Sequence, residues 1–470
     1  MALPTIVFNS SGSDTQASGA PSSFTAIFGT AAATAANTSV TLSVDAPDLS
    51  GVAVDGTAAI WVNSSSGRQW SRITAIDNVT KVVTVATAYA NTESGKTWAI
   101  GGKRSTLAGS LRAGQDWEAG WSIDVQTDQT LTAAQNVFVA TGTETMSAPN
   151  YFFCSQTTRA TITTSTNSIN LINSGSQTDP IIFRHLKFTN TAATKGTAGS
   201  TGNAYTSANA AVNGVHFYDC VFDGLVSAVM LDNVTNFGTN RIAMIGCEII
   251  NCTSHGVSLQ FSGSGAALFA TFDHCLFYNN TGDGLRLTGA AGIAFVSFCT
   301  FSTNAKGIDE VNTGTTTSAG YHIINSNFVS NTGAGINLPN SAYNFTCHDC
   351  IFDSNGDYGI KMTATHAAVT AGSNNPPLLF NNAFYNNTTG TVANGPASFT
   401  DITLTGSPFT SSTDWKLNAT AGAGAACKAV ATVAPGMSSN TAGDIGAVPT
   451  GGGASTGGLL RNPDLNGGTR

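Results

Sequence analysis

Five residues of this 470-residue chain combine types and spacing suited to chemistry: His255, Asp283, Arg286, Asp309 and Glu310. His255 stands just before Gly256-Val257 and Asp283 just before Gly284-Leu285. Arg286 follows Leu285, and Asp309-Glu310 follow Gly307-Ile308. If these phrases occupy equivalent places in stacked layers, His255 and Asp283 lie about 5 Å apart, and Arg286 lies over Asp309 with Glu310 beside it. Paired carboxylates with a histidine and an arginine are the set that general acid–base chemistry uses. The structural alternative is a surface ion pair between Arg286 and Asp309, worth about 0–1 kcal/mol, with a solvated His255. The second reading is the expectation, so these five remain candidates and none is assigned a catalytic role.

The equivalence rests on a phrase repeated eight times between Ile181 and Asn394. A small residue, any residue and a large apolar one recur in DCVFDG, HCLFYN, FCTFST and DCIFDS. The first column contains Cys220, Cys247, Cys275, Cys299 and Cys350. The second contains Phe222, Phe277, Phe301, Phe328, Phe352 and Phe384. Three residues past the large apolar position come Asn280, Asn304, Asn331, Asn355 and Asn387, and then Gly with an apolar residue. Spacings of 24 to 34 residues mean stacked units. Alternation within each unit, as in HCLFY and GIKMT, is strand periodicity.

The resulting fold class is all-β, a right-handed parallel β-helix. Each unit is one coil of three short strands, and the chain climbs about 4.8 Å per coil. The Cys and Phe columns become interior stacks. The Asn column sits at a bend, where its amide bonds to the next coil and the residue tolerates turn geometry. The Gly column is expected to supply positive φ before the next strand.

Composition agrees. Charged residues are 10%, hydrophobic residues 41% and glycines 51 in number, which describes a turn-rich β protein rather than a disordered one. A net charge of −8 without a basic cluster argues against nucleic acid. No run is long and apolar enough to span a membrane. Nine cysteines raise disulfide and zinc readings, but the column placement favours thiols packed as small hydrophobes. Cys347 and Cys350 form a CxxC interrupted by His348, and strand alternation is expected to point them to opposite faces. Asp349, Asp353 and Asp357 are spaced by four, yet the strand and its bend should spread them around the coil. No metal site and no cofactor is expected.

Three regions follow. Residues 1–105 read as a small β module with a hairpin turning at Asp77-Asn78 and a core of Trp61, Trp70 and Trp98. Residues 106–410 form the rod, beginning with irregular coils and interrupted by insertions around 189–214, 308–320 and 364–376. Residues 411–470 supply a closing coil and a flexible Gly-rich tail. The start, MALPTIVFNSSG, carries no basic and apolar export pattern.

The CxFxxN phrase, the Gly-apolar phrase and the ending DWKL…DIGAV resemble the pectate-lyase-like right-handed parallel β-helix proteins over roughly 150–450. The segment WAIGG followed by GWSIDV looks like N-terminal regions of phage virion proteins. The first resemblance implies a fold that carries lyases, hydrolases, adhesins and tailspikes. Its lyases use acidic Ca²⁺ clusters with an Arg or Lys base, and its hydrolases use Asp/Glu on adjacent coils. Together the two imply a phage surface projection, a capsid decoration or glycan-binding spike. It would be assembled in the host cytoplasm and docked to other virion proteins through the N-terminal module or the tail. Host-surface glycans are the implied ligand, and homotrimers are common among such spikes. A polysaccharide lyase or glycoside hydrolase and a bacterial adhesin are the alternatives.

Overall fold

The computed structural model describes short stretches within residues 5–136, most of 150–431, and 444–447. From Ser122 onward the chain winds through three parallel sheets in strict rotation. The first sheet has 12 strands, the second 11 and the third 10. The coil beginning at Val215 is representative: Val215–Tyr218 joins the first sheet, Val221–Asp223 the second and Val229–Val234 the third. Each pairs in parallel with its counterpart one coil later, at Arg241–Ile245, Glu248–Ile250 and Val257–Phe261.

The middle strand of each coil is short because left-handed corners flank it. On one side φ is positive at His185, Asp219, Gly246, His274, Phe298, Asn325, Asp349 and Asn381. On the other it is positive at Gly224, Asn251, Asn279, Thr303, Ser330, Ser354 and Asn386. The first corner resets the side-chain alternation, so residues three apart across it both face inward. Cys347 and Cys350 are both buried for this reason, rather than on opposite faces.

All nine cysteines are buried free thiols. In their column the thiols donate to carbonyls of the preceding coil, Cys247 to Phe217 at 3.4 Å and Cys275 to Met244 at 3.2 Å. Burial pushes the Cys220 and Cys275 thiols up, away from the reactive thiolate. The Phe column is one continuous stack from Phe277 to Phe384, with ring centroids 4.5 to 5.0 Å apart. Offset stacking at such separations adds to the burial of each ring.

The Asn column is a ladder. Asn304 Nδ2 donates to Asn331 Oδ1 (3.2 Å) and to the Phe277 carbonyl (3.0 Å), while its Oδ1 accepts from both the backbone N–H and the Nδ2 of Asn280. Asn331 and Asn355 repeat the pattern, and Asn387 ends the ladder with its Nδ2 on the Phe352 carbonyl. The amide column itself avoids positive φ, which falls on the residue before it. The Gly column also differs from expectation. Gly256, Gly284, Gly307, Gly335 and Gly359 have ordinary φ, and the reason for glycine there is close approach. A Cβ at Gly307 would meet the Gly335 carbonyl at 2.4 Å and the Phe328 ring at 2.5 Å.

The two ends depart from the coil. Gly29–Ile100 contributes six antiparallel strands that close into a barrel. Its hairpin turns after Asp77, whose carboxylate accepts from the Val79 and Thr80 amides. The side chains of Trp61, Trp70 and Trp98 lie outside the described residues. Strands Thr5–Phe8 and Lys103–Arg104, which flank the barrel, add to the first sheet of the rod. At the other end, among the described residues, only Ile402–Thr403 extends the stack. The chain then folds back as a strap over the outer face of the second sheet. Leu404, Phe409, Leu417, Cys427 and Ile445 pack there against Val329, Ile351 and Ala383. The strap replaces the expected closing coil, and residues 448–470 lie outside the described residues.

Candidate functional site

The Gly corner brings four of the five candidate residues together. His255, Asp283 and Lys306 stand immediately before Gly256, Gly284 and Gly307, in one column on successive coils. Arg286 Nη1 lies 2.7 Å from His255 Nε2. Guanidinium only donates, so Nε2 accepts there, and the backbone N–H of Asp283 reaches the other ring nitrogen, Nδ1, at 3.1 Å. That nitrogen is 3.2 Å from Asp283 Oδ2. Lys306 Nζ lies 4.0 Å from Asp283 Oδ1 and 2.8 Å from Asp309 Oδ2. Asn337 Nδ2 donates to Asp309 Oδ1 at 2.7 Å. Gly282 lets the backbone pass under the His255 ring, because a Cβ there would stand 2.8 Å from Nδ1.

This network revises the expected surface pair. Arg286 turns to His255, and Asp309 pairs with Lys306 instead. Both aspartates are buried and His255 is only partly exposed. Glu310 is not beside Asp309 in space, since adjacent strand residues face opposite sides. It points into the rod, 1% exposed, with Tyr321 Oη donating to it at 3.3 Å. Burial pushes its carboxyl up to about 7. The cluster therefore has two carboxylates already committed to cations, and Lys306 and Arg286 are its partly exposed charged members. Lys306 was legible as the third member of the His255–Asp283 column, and only its basic type hid it among acidic candidates. Asp349, Asp353 and Asp357 are dispersed: Asp349 meets His348 and Asn381, Asp353 meets Ser354 and Ser407, and Asp357 meets Lys361.

A second surface was not anticipated. Outward positions of the first sheet form two columns. One runs Thr271, Phe295, His322, Thr346, Leu378, and the other Asp273, Ser297, Ile324, His348, Phe380. Phe269, Phe295 and Leu378 are 37%, 41% and 54% exposed. Phe295 stacks on His322 at 5.0 Å, His348 on Phe380 at 4.6 Å, and His274 on Phe298 at 4.9 Å. Polar groups lie among the rings: Ser297 Oγ donates to Asp273 Oδ1 (2.6 Å), and His274 Nδ1 lies 2.9 Å from Asp273 Oδ2. Exposed aromatic groups with a few fixed polar neighbours are the ordinary lining of ligand sites.

Three parallel sheets, rotating coils and interior ladders define an all-β right-handed parallel solenoid. The family described as "Right handed beta helix region" matches residues 151–320 and 227–409, and the chain belongs to it. The chain is similar in structure to pectate lyase Pel9A, with 14% identity over 71% of this chain and 88% of that one, at a TM-score of 0.47. It is also similar to the Agl-KA catalytic domain (10% identity, 80% of this chain and 87% of that one, TM-score 0.28). The catalytic domain of a GH87 alpha-1,3-glucanase in complex with nigerose is comparable (10%, 80% and 88%, TM-score 0.29). At this identity and overlap the likenesses speak to no activity. The chain matches no curated protein sequence.

Proposed function

We propose that this chain is a glycan-binding rod that projects from a phage particle. The observation that carries this reading is the aromatic outer face of the first sheet, where Phe269, Phe295, His322, Leu378 and Phe380 step along the rod. The step is about 4.8 Å, close to one sugar ring, so the apolar faces of consecutive sugars meet successive aromatic groups. The partly exposed Ser297 and Thr346 then meet hydroxyls. Nine thiols, all free, suit folding in a reducing cytoplasm such as the one in which phage particles assemble. Docking to other virion proteins falls to the N-terminal module or the Gly-rich tail.

A glycan array followed by titration tests the binding. Phe295→Ala is expected to weaken a bound glycan about tenfold, as loss of an aromatic platform worth about 1.4 kcal/mol would. Unchanged affinity in both Phe295→Ala and His322→Ala would remove the face from consideration. Antibody labelling of purified particles tests the location, and unlabelled particles count against it.

The Asp283–Lys306–Asp309 arrangement, two buried carboxylates against a partly exposed lysine, favours a second reading, a polysaccharide depolymerase. Incubation with a glycan panel and assay for unsaturated or reducing-end products decides between the two. Product formed by the wild type and lost in Lys306→Ala, with the fold retained, would replace the binding reading.

A further inference from the structure

A cleft of about 300 Å³ lies on coils that precede the aromatic face, lined by Phe153, Ser155, Gln156, Arg184, His185 and Asp219. Its origin is one irregular corner. Between Arg184 and Leu186 the chain turns from the first sheet to the second with a single residue, His185. Between the equivalent residues one coil earlier, Phe153 and Ala160, six residues intervene. This longer turn rises as a lip beside the next two corners and is tied down to them. Arg159 pairs through Nη2 with Asp219 Oδ1 and donates through Nε to the Asp219 carbonyl at 3.0 Å. His185 Nδ1 lies 2.6 Å from Asp219 Oδ2, and its Nε2 lies 3.2 Å from the Thr157 carbonyl. At the base of the lip Asp124 accepts from the Ser155 amide (2.9 Å) and hydroxyl (2.7 Å).

These bonds leave one cation uncommitted, while the Asp124 carboxylate is met by neutral donors from Ser155 and Gln126. Asp219 is neutralised by Arg159, and its second oxygen lies against the His185 ring. Arg184 is exposed, and its guanidinium has no partner among the described residues. Phe153 is its counterpart in the preceding coil, so the ring forms the wall beside it. We propose that this cleft binds a carboxylate carried on a body the size of one sugar ring, with Arg184 as the anion partner and Phe153 as the apolar wall. A guanidinium fork matches a planar carboxylate in bidentate fashion. A single free cation balances a single negative charge, whereas a dianionic phosphate would bring an unbalanced charge close to Asp219. Ser155 and Gln156 on the lip are placed for hydroxyl contacts. The proposal does not rest on the aromatic face, which lies on other coils and needs no charge.

Titration calorimetry of the full chain with D-glucuronate, N-acetylneuraminate and D-glucose tests it. At least one of the two acidic sugars is expected to bind and glucose is not, and which of the two binds identifies the acid type. Arg184→Ala should weaken that binding about tenfold or more, the loss expected for a charged hydrogen-bonding partner, and Arg184→Lys should restore part of it. Phe153→Leu should weaken it without altering the preference for the acid. Phe295→Ala should leave it unchanged, which separates this cleft from the aromatic face. Equal binding of glucose, unchanged affinity in Arg184→Ala, or no binding of either acidic sugar would overturn the proposal.

Discussion

Glu310 stands in an interior column otherwise built from Leu231, Leu259 and Leu287. Its Oε2 has no hydrogen-bond partner among the described residues, and only the Tyr321 hydroxyl meets Oε1. The charged form is thus poorly hosted, and burial raises the carboxyl from an ordinary 4.5 to about 7. The sign follows directly. Below pH 4.5 the group is neutral in both states and costs little. As pH rises from 4.5 to about 7 the unfolded chain ionises first, so stability falls, by about 3 kcal/mol at most. Above that window the cost is constant. Denaturant midpoints across the window should show the decline in the wild type and a smaller one in Glu310→Gln. Parallel curves for the two proteins would place the carboxyl in water instead.

At the scale of the coil, two kinds of glycine make opposite predictions. Gly307 carries no unusual φ but has carbonyl and ring atoms within 2.5 Å of any added Cβ. Gly307→Ala should therefore cost about 1–3 kcal/mol through overpacking, read as a lower thermal midpoint. Gly246 has φ +64 and nothing within 4 Å. Equivalent corners hold Asp219, Asn325 and Asn381, so Gly246→Asn should be tolerated and leave the midpoint nearly unchanged. If Gly246→Asn proved the more damaging of the two, the assignment of close approach to one column and left-handed geometry to the other would be reversed. The interior columns were legible in the sequence because one residue type recurs once per coil. The left-handed corners were not, because His185, Gly246, Phe298 and Asn381 share a backbone angle and no side-chain chemistry. The Gly column was legible as a period, but a glycine letter does not distinguish positive φ from crowding. For the candidate cluster, the column of His255 and Asp283 could be read directly. Glu310 was misplaced because two adjacent acids were counted as one surface despite strand alternation. The aromatic face went unread because Phe295 and Leu378 look like ordinary apolar strand residues until the inward positions are known.

For the molecule as a whole, the C-terminal strap changes what a stack of coils can do. In a simple solenoid each coil touches only its neighbours, and the terminal coil frays first. Here the strap crosses the second sheet lengthwise. Trp415 reaches Tyr278, Ser407 Oγ donates to Asp353 Oδ2, and the Ala447 amide donates to Asn327 Oδ1. It also covers Val329, Ile351 and Ala383, outward apolar residues that would otherwise face water. Coils from about 276 to 385 are therefore held at their sides as well as at their ends, whereas those from 181 to 250 have no strap residue packed on them among the described residues. Truncation after Thr403 should remove the lateral contribution and leave the stacking. Hydrogen exchange read by mass spectrometry should then show faster exchange in Asn327–Val329, Ile351–Asp353 and Ala383–Tyr385. Val221–Asp223 and Glu248–Ile250 should keep their protection. Uniform loss along the rod would mean that the coils unfold as one unit, and unchanged protection would mean that the strap only shields apolar surface. The predicted gradient places the aromatic face, on coils 269 to 380, in the part of the rod that the strap stiffens. The proposed glycan surface gains from such rigidity, because less freedom is lost when a ligand binds.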